Sequence, residues 1–144
     1  MQKEKYINHL LKFIQSGTCT YTVMEYLKKE LTQYNFHELS EDEEWHLTPG
    51  KYYVIRNDAS CIAFEIGQNY QNSFNIITTH SDTPALQLKP QNEFYENGYL
   101  KLNISPYGGL LNYGWLDRPL SIAGKIILKK EHSFKAKIID FQEP

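Results

Sequence analysis

The sequence predicts an α/β fold that turns β-rich in its second half. Three observations carry this: two helical patterns stand in tandem at the N-terminus, β-rich runs follow from Lys51 onward, and after Pro90 strand patterns continue with no helical pattern between them. With 144 residues, 41% of them hydrophobic, the chain is long enough for one modest domain, or for a small domain and part of another.

Tyr6, Ile7, Leu10, Leu11 and Ile14 recur at helical spacing and predict an amphipathic helix over residues 3–15, ended by Ser16-Gly17. The stretch Thr18-Cys19-Thr20 offers an N-cap hydroxyl for a second helix over residues 21–31. Its apolar positions are Tyr21, Met24, Leu27 and Leu31, and its lysines sit toward the C-terminal end, where the helix dipole favours them. A turn at Gln33-Tyr34-Asn35 leads to a short strand at residues 36–39. Ser40 followed by Glu43 has capping-box spacing, which predicts a helical turn through Trp45 with the acidic residues 41–44 at its N-terminus. Thr48-Pro49-Gly50 then turns the chain into two β-rich runs, residues 51–56 and 61–66, and the four polar residues between them predict a hairpin.

Residues 74–79 are uncharged and rich in apolar and β-branched side chains, the pattern of a buried strand, and they lead into His80 and Asp82. Pro90-Gln91-Asn92-Glu93 is the expected boundary, with residues 1–90 forming one region and 91–144 a β-rich one. In the latter, Leu100, Leu102 and Ile104 alternate with Lys101 and Asn103, and residues 125–130 and 134–139 read as further strands.

Charge and composition exclude several functions. The formal charge of −2 and a pI near 6.2 leave no basic field for nucleic acid or an anionic membrane surface. No apolar run approaches the length of a membrane span, and the charged start Met1-Gln2-Lys3-Glu4-Lys5 has no secretory core, so a cytoplasmic location is expected. Cys19 and Cys61 are too few and too far apart for a disulfide framework or a cysteine zinc site; both read as free thiols, Cys61 in the core. The eleven tyrosines are not interleaved with basic residues, so they read as packing groups and not as a base-stacking platform.

His80 and Asp82 are the candidate site. A neutral imidazole is a common zinc ligand, and a carboxylate that accepts its other ring N–H sets the tautomer. Residues two apart on an extended segment point the same way, so both can reach one place beyond a sheet edge. From the tripeptide alone the commoner reading is a surface-turn histidine beside an ordinary turn carboxylate, because His-x-Asp often occurs by accident. His9, His37, His46 and His132 stand isolated, Gly108-Gly109 reads as a tight turn, and the adjacent Asp117 and Arg118 read as a substrate clamp or as an ion pair bracing a loop.

The run Thr79-His80-Ser81-Asp82-Thr83-Pro84-Ala85-Leu86-Gln87-Leu88-Lys89-Pro90 resembles a segment of the aspartyl aminopeptidase family of zinc metallopeptidases that reads A-H-T-D-S-P-x-L-x-x-K-P. In the same order, Phe36 to Ser40 with Trp45, Pro49 to Tyr53, Arg56-Asn57 and Ile62-Ala63-Phe64 resemble that family's lead-in. Tyr107-Gly108-Gly109 and the run from Trp115 to Lys125 resemble its Y-G-G and W-F-D-R-D-L-x-L-A-G-R motifs. Departures occur at residues 16–21, where the family's S-P-T-P-x-H is absent, at Pro119 in place of an aspartate, and at Leu110 in place of a small residue.

The resemblance implies the N-terminal portion of a zinc-dependent aminopeptidase acting on peptides, with acidic N-terminal residues as candidates. It implies the start of a di-zinc catalytic α/β domain over residues 1–90 and part of an inserted β-rich dimerisation domain over 91–144, truncated there, in an enzyme that forms homo-oligomers. By the same resemblance His80 is a metal ligand, Asp82 is the catalytic carboxylate that clamps it, and the intact site holds two Zn2+. The remaining ligands lie later in the family, so the 144-residue chain alone is expected to bind metal weakly and hydrolyse nothing. Two rivals stand beside this reading: a non-catalytic remnant or assembly module that associates with an intact paralogue, and a β-rich binding module with an accidental His-x-Asp.

Overall fold

The computed structural model describes residues 2–69 and 73–142. They divide into two compact units, one made of the chain up to Ser81 together with the chain from Ser121, the other of Asp82–Leu120. No helix is long and apolar enough to cross a membrane among the described residues.

The first unit opens with helices α1 (Gln2–Ser16) and α2 (Thr20–Gln33), followed by strands β1 (His37–Glu38), β2 (Gly50–Arg56) and β3 (Ser60–Ile66). Both helices stand where the periodicity places them, but the apolar positions of α1 are not covered. Tyr6, Ile7, Leu10, Leu11 and Ile14 are all exposed, and Phe13 meets α2 instead, edge-on to Tyr26 with ring centroids 5.4 Å apart. Among the described residues the buried apolar ones are Val23 and Met24 on α2 and Tyr53 and Val54 on β2, joined by the buried Thr22.

The cap of α2 differs from the expected one. Cys19 occupies the N-cap position, and its N–H donates to Thr22 Oγ1 at 3.0 Å. The Thr22 hydroxyl donates back to the Cys19 carbonyl at 2.8 Å. The Thr22 hydroxyl thus engages the backbone of the cap residue from inside the first turn, and the N-cap is Cys19, whose backbone is extended as an N-cap requires.

Residues 41–45 do not form the expected helical turn. The Ser40 hydroxyl accepts the N–H of Asp42, two residues on instead of three, at 3.3 Å. The indole N–H of Trp45 takes the Ser40 carbonyl at 2.6 Å, the acceptor a first helical bond would have needed. Glu41 is drawn to Arg56, whose Nε lies 2.7 Å from its Oε1. Local side-chain bonds therefore satisfy the backbone in a bend and leave no reason to wind a helix.

The predicted hairpin is present. β2 pairs antiparallel with β3 from Gly50↔Ile66 to Arg56↔Ser60, and β1 lies parallel on the other side of β2. Asn57 and Asp58 have φ of 54° and 57°, and Ala59 N–H bonds the Arg56 carbonyl at 3.0 Å, the geometry of a type I′ turn. The expected strand at residues 74–79 is absent. The segment is neither helix nor strand, and Phe74, Ile76 and Ile77 are 86%, 77% and 97% exposed. A strand exists only by pairing, and the described sheet, in the order β1-β2-β3, gives this segment no neighbour.

The same unit ends with the antiparallel hairpin β6 (Ala123–Lys130) and β7 (Ser133–Asp140). Thr18 Oγ1 donates to Asp140 Oδ2 at 3.0 Å, tying this hairpin to the start of α2.

The second unit is a two-stranded ribbon, β4 (Ala85–Glu96) and β5 (Tyr99–Tyr107), followed by a single 3-10 turn at Asn112–Trp115. Asn97 and Gly98, with φ of 52° and 81°, make the two-residue turn between them. Pro90 lies inside β4. The register slips between Leu88 and Glu93, so residues 89–92 face the single residue Asn103. A proline has no N–H for the ladder and is accommodated in such a bulge.

Candidate functional site

The loop that carries His80 and Asp82 runs between residues 79 and 85, in neither helix nor strand. His80 and Ser81 belong to the first unit, and Asp82 opens the second. His80 is exposed and Asp82 half-buried. The Ser81 hydroxyl donates to the Ala59 carbonyl at 3.2 Å, which ties the loop to the turn of the β2–β3 hairpin.

In the second unit, the Tyr107 hydroxyl donates to Asp82 Oδ2 at 2.5 Å. Tyr107 ends β5 and pairs with Ala85, the first residue of β4. The ladder therefore brings a residue 25 positions later beside the loop. Gly108 follows with φ of 70°, and a Cβ there would stand 3.5 Å from Pro84. Leu110 N–H bonds the Gly108 carbonyl at 3.0 Å, so Gly108-Gly109 is the tight turn its composition predicts. The bond to Asp82, and then the charge of that carboxylate, push the Tyr107 phenol above its ordinary pKa, with a smaller push from desolvation. The proton stays on the phenol at neutral pH, and Tyr107 remains the donor.

A catalytic zinc takes about three protein ligands. Among the described residues no three His, Cys, Asp or Glu side chains converge to hold a metal ion. An exposed imidazole with a carboxylate two residues on fits one position of such a set in its donor chemistry, but the number does not close. His9 is engaged elsewhere, its Nε2 3.1 Å from Glu30 Oε2. His37 lies against the Tyr52 ring, with centroids 6.3 Å apart. Arg118 donates to the Gly114 carbonyl at 3.4 Å and Asp117 has φ of 56°, so this dipeptide shapes a turn.

Tyr107 is the site residue that the sequence did not disclose as one. Its signal was the Tyr-Gly-Gly tripeptide closing an alternating strand, in a chain whose tyrosines read as packing groups.

Residues 13–144 match the family model described as aminopeptidase I zinc metalloprotease (M18). A probable M18 family aminopeptidase 2 of Clostridium novyi is 36% identical over 99% of this chain and 34% of its own length. A probable aspartyl aminopeptidase of Ricinus communis is 32% identical over 94% of this chain and 29% of its own. Among solved structures, the mApe1 of Chaetomium thermophilum superposes with a TM-score of 0.90 at 32% identity, covering 98% of this chain and 34% of that one. The S. cerevisiae mApe1 dodecamer gives a TM-score of 0.87, also at 32% identity, with 98% and 34% covered. This chain spans about a third of the length of the curated relatives it matches. Its mixed α/β architecture is that of the corresponding part of these aminopeptidases, and the chain belongs to the M18 aminopeptidase family.

Proposed function

We propose that this chain is the N-terminal part of a zinc-dependent aminopeptidase that removes N-terminal residues from peptides. The observation that supports it is the family match over residues 13–144, which includes the His80-Ser81-Asp82 loop. In this reading residues 1–90 begin the catalytic domain and residues 91–144 begin the inserted β-rich dimerisation domain of a cytoplasmic homo-oligomer. The name of the Ricinus communis relative supports acidic N-terminal residues as substrates.

His80 would offer one ring nitrogen to the metal, and Asp82 would accept the N–H of the other, which would set the tautomer and raise the basicity of the ligand. Zinc, when bound, polarises a carbonyl and acidifies its water. Two ions are proposed for the complete site. The other ligands are supplied by the polypeptide beyond these residues, so the 144-residue chain alone binds zinc weakly and hydrolyses no peptide.

The test uses the longest native polypeptide that contains this sequence. His80→Ala lowers peptide hydrolysis by more than about a hundredfold, beyond what loss of a ligand's supporting partner costs, and lowers the zinc content, with the circular dichroism spectrum kept. Unchanged metal content and activity would sink the proposal. A second reading, an assembly module that associates with an intact paralogue, is supported by the exposed Leu100, Leu102 and Ile104 of β5. A native product that stops at Pro144 and co-purifies with a longer paralogue would favour it.

A further inference from the structure

Between Lys129 and Lys137 the β6–β7 hairpin carries four lysines and a single acid, Glu131. The pairing register sorts them by face. Leu128 stands opposite Lys135 and Ile126 opposite Lys137, and residues two apart on a strand point the same way. Lys130, Lys135 and Lys137 therefore share one face with Ile126 and Leu128, and all five are exposed. Lys135 and Lys137 follow one another at about 7 Å along β7. Among the described residues none of these three lysines has a carboxylate within ion-pair distance, whereas Lys28, Lys101 and Lys125 each have one.

The same unit carries the opposite charge in one run. Glu41, Asp42, Glu43 and Glu44 are all exposed, in the bend between β1 and β2. Arg56 takes Glu41, and among the described residues no cation pairs with the other three. No ion pair joins the run to the lysines within one chain.

We propose that the lysine face of the β6–β7 hairpin is an interaction surface for a second copy of this chain, whose Asp42-Glu43-Glu44 segment it receives. This deepens the homo-oligomer of the proposed function and rests on it. Three cations without a partner in their own chain meet three carboxylates in the same condition, and Ile126 and Leu128 supply apolar area beside them. A two-fold axis makes the contact twice, since the hairpin of each copy meets the acidic run of the other. Such complementarity sets register and encounter rate, and like charges brought together there cost affinity. Lysines on a two-stranded ribbon have another use, which is to keep foreign strands from its open edges. The two roles differ in sign. Removing a lysine that repels strengthens self-association, and removing one that receives a partner weakens it.

The experiment is sedimentation of the longest native polypeptide that contains this sequence, with circular dichroism to check folding. Raising salt from about 0.05 M to about 0.5 M weakens self-association by about tenfold or more. At low salt Lys135→Glu with Lys137→Glu weakens it by about tenfold or more, and so does Asp42→Lys with Glu43→Lys. Combining the four substitutions brings it back to within about threefold of the unmutated protein, because the exchanged charges again attract. Glu41 stays unchanged, as it already has Arg56. Should the reversed variants not fold, Lys135→Gln with Lys137→Gln decides: weaker association supports the proposal, and unchanged or tighter association overturns it. Assembly that responds to neither salt nor charge reversal, or a combined variant no better than its parents, overturns the proposal and leaves the homo-oligomer standing. A polypeptide that stays monomeric at every concentration and salt sinks both.

Discussion

The Lys125 ammonium lies 2.8 Å from Asp58 Oδ2, joining the first strand of the β6–β7 hairpin to the tip of the β2–β3 hairpin. The same group donates to the Asn57 carbonyl at 3.2 Å and sits 5.5 Å from the centroid of the Tyr21 ring. Three elements of the first unit thus meet at one cation. Its side chain is 20% exposed, against 58% for Asp58. Lys125→Ala should cost about 1 kcal/mol, since it removes a partly sheltered cation with three partners. Asp58→Asn should cost about half of that or less, as an exposed partner does. Urea midpoints at low and high salt check this. Equal losses for the two variants would show that the ion pair alone carries the junction.

Tyr53 allows packing to be separated from hydrogen bonding. It is 2% exposed, and its hydroxyl donates to Glu38 Oε2 at 3.3 Å, while the Lys28 ammonium reaches both oxygens of Glu38, 2.8 Å from Oε1 and 2.6 Å from Oε2. Tyr53→Phe loses a single bond of long geometry and should cost about 0.5–1.5 kcal/mol. Tyr53→Ala empties the most deeply buried side-chain position among the described residues and should cost about 3–5 kcal/mol. Equilibrium unfolding of both variants measures the difference. Similar costs would mean that the ring fills little of the core.

Cys61 should be a slow thiol. Burial first, and the Glu38 charge second, raise its pKa above the ordinary thiol value. The folded chain therefore keeps the proton to higher pH than the unfolded chain. Its contribution to stability is complete below the unfolded thiol pKa and is lost as pH rises through the folded one. The alkylation rate of Cys61, followed against pH by peptide mapping, should rise later than that of the same thiol in urea. An earlier rise would contradict the burial of this position.

The helices, the β2–β3 hairpin and the strands after Pro90 were legible because their signals are local. Helical spacing in residues 6–14, turn chemistry at Asn57-Asp58 and alternation at residues 100–104 each act over a few residues. The failures have physical causes of other kinds. At residues 40–45 a capping-box spacing lost to competing side-chain bonds from Ser40, Trp45 and Arg56. At residues 74–79 the β pattern was strong, but a strand also needs a neighbour, and composition does not supply one.

His80 and Asp82 could be singled out from sequence because their spacing and residue types express their chemistry. Tyr107 could not be assigned to them, since only the β4–β5 ladder brings positions 82 and 107 together. The sequence by itself determined the two helices, the β2–β3 hairpin, the alternating strands after Pro90, the family resemblance and the His80-Ser81-Asp82 loop. The tertiary structure alone decided which side chain meets Asp82, which apolar segments stay uncovered and how α2 is capped. The physical reason is range: periodicity and turn propensity act along the chain, whereas burial and pairing depend on residues distant in it.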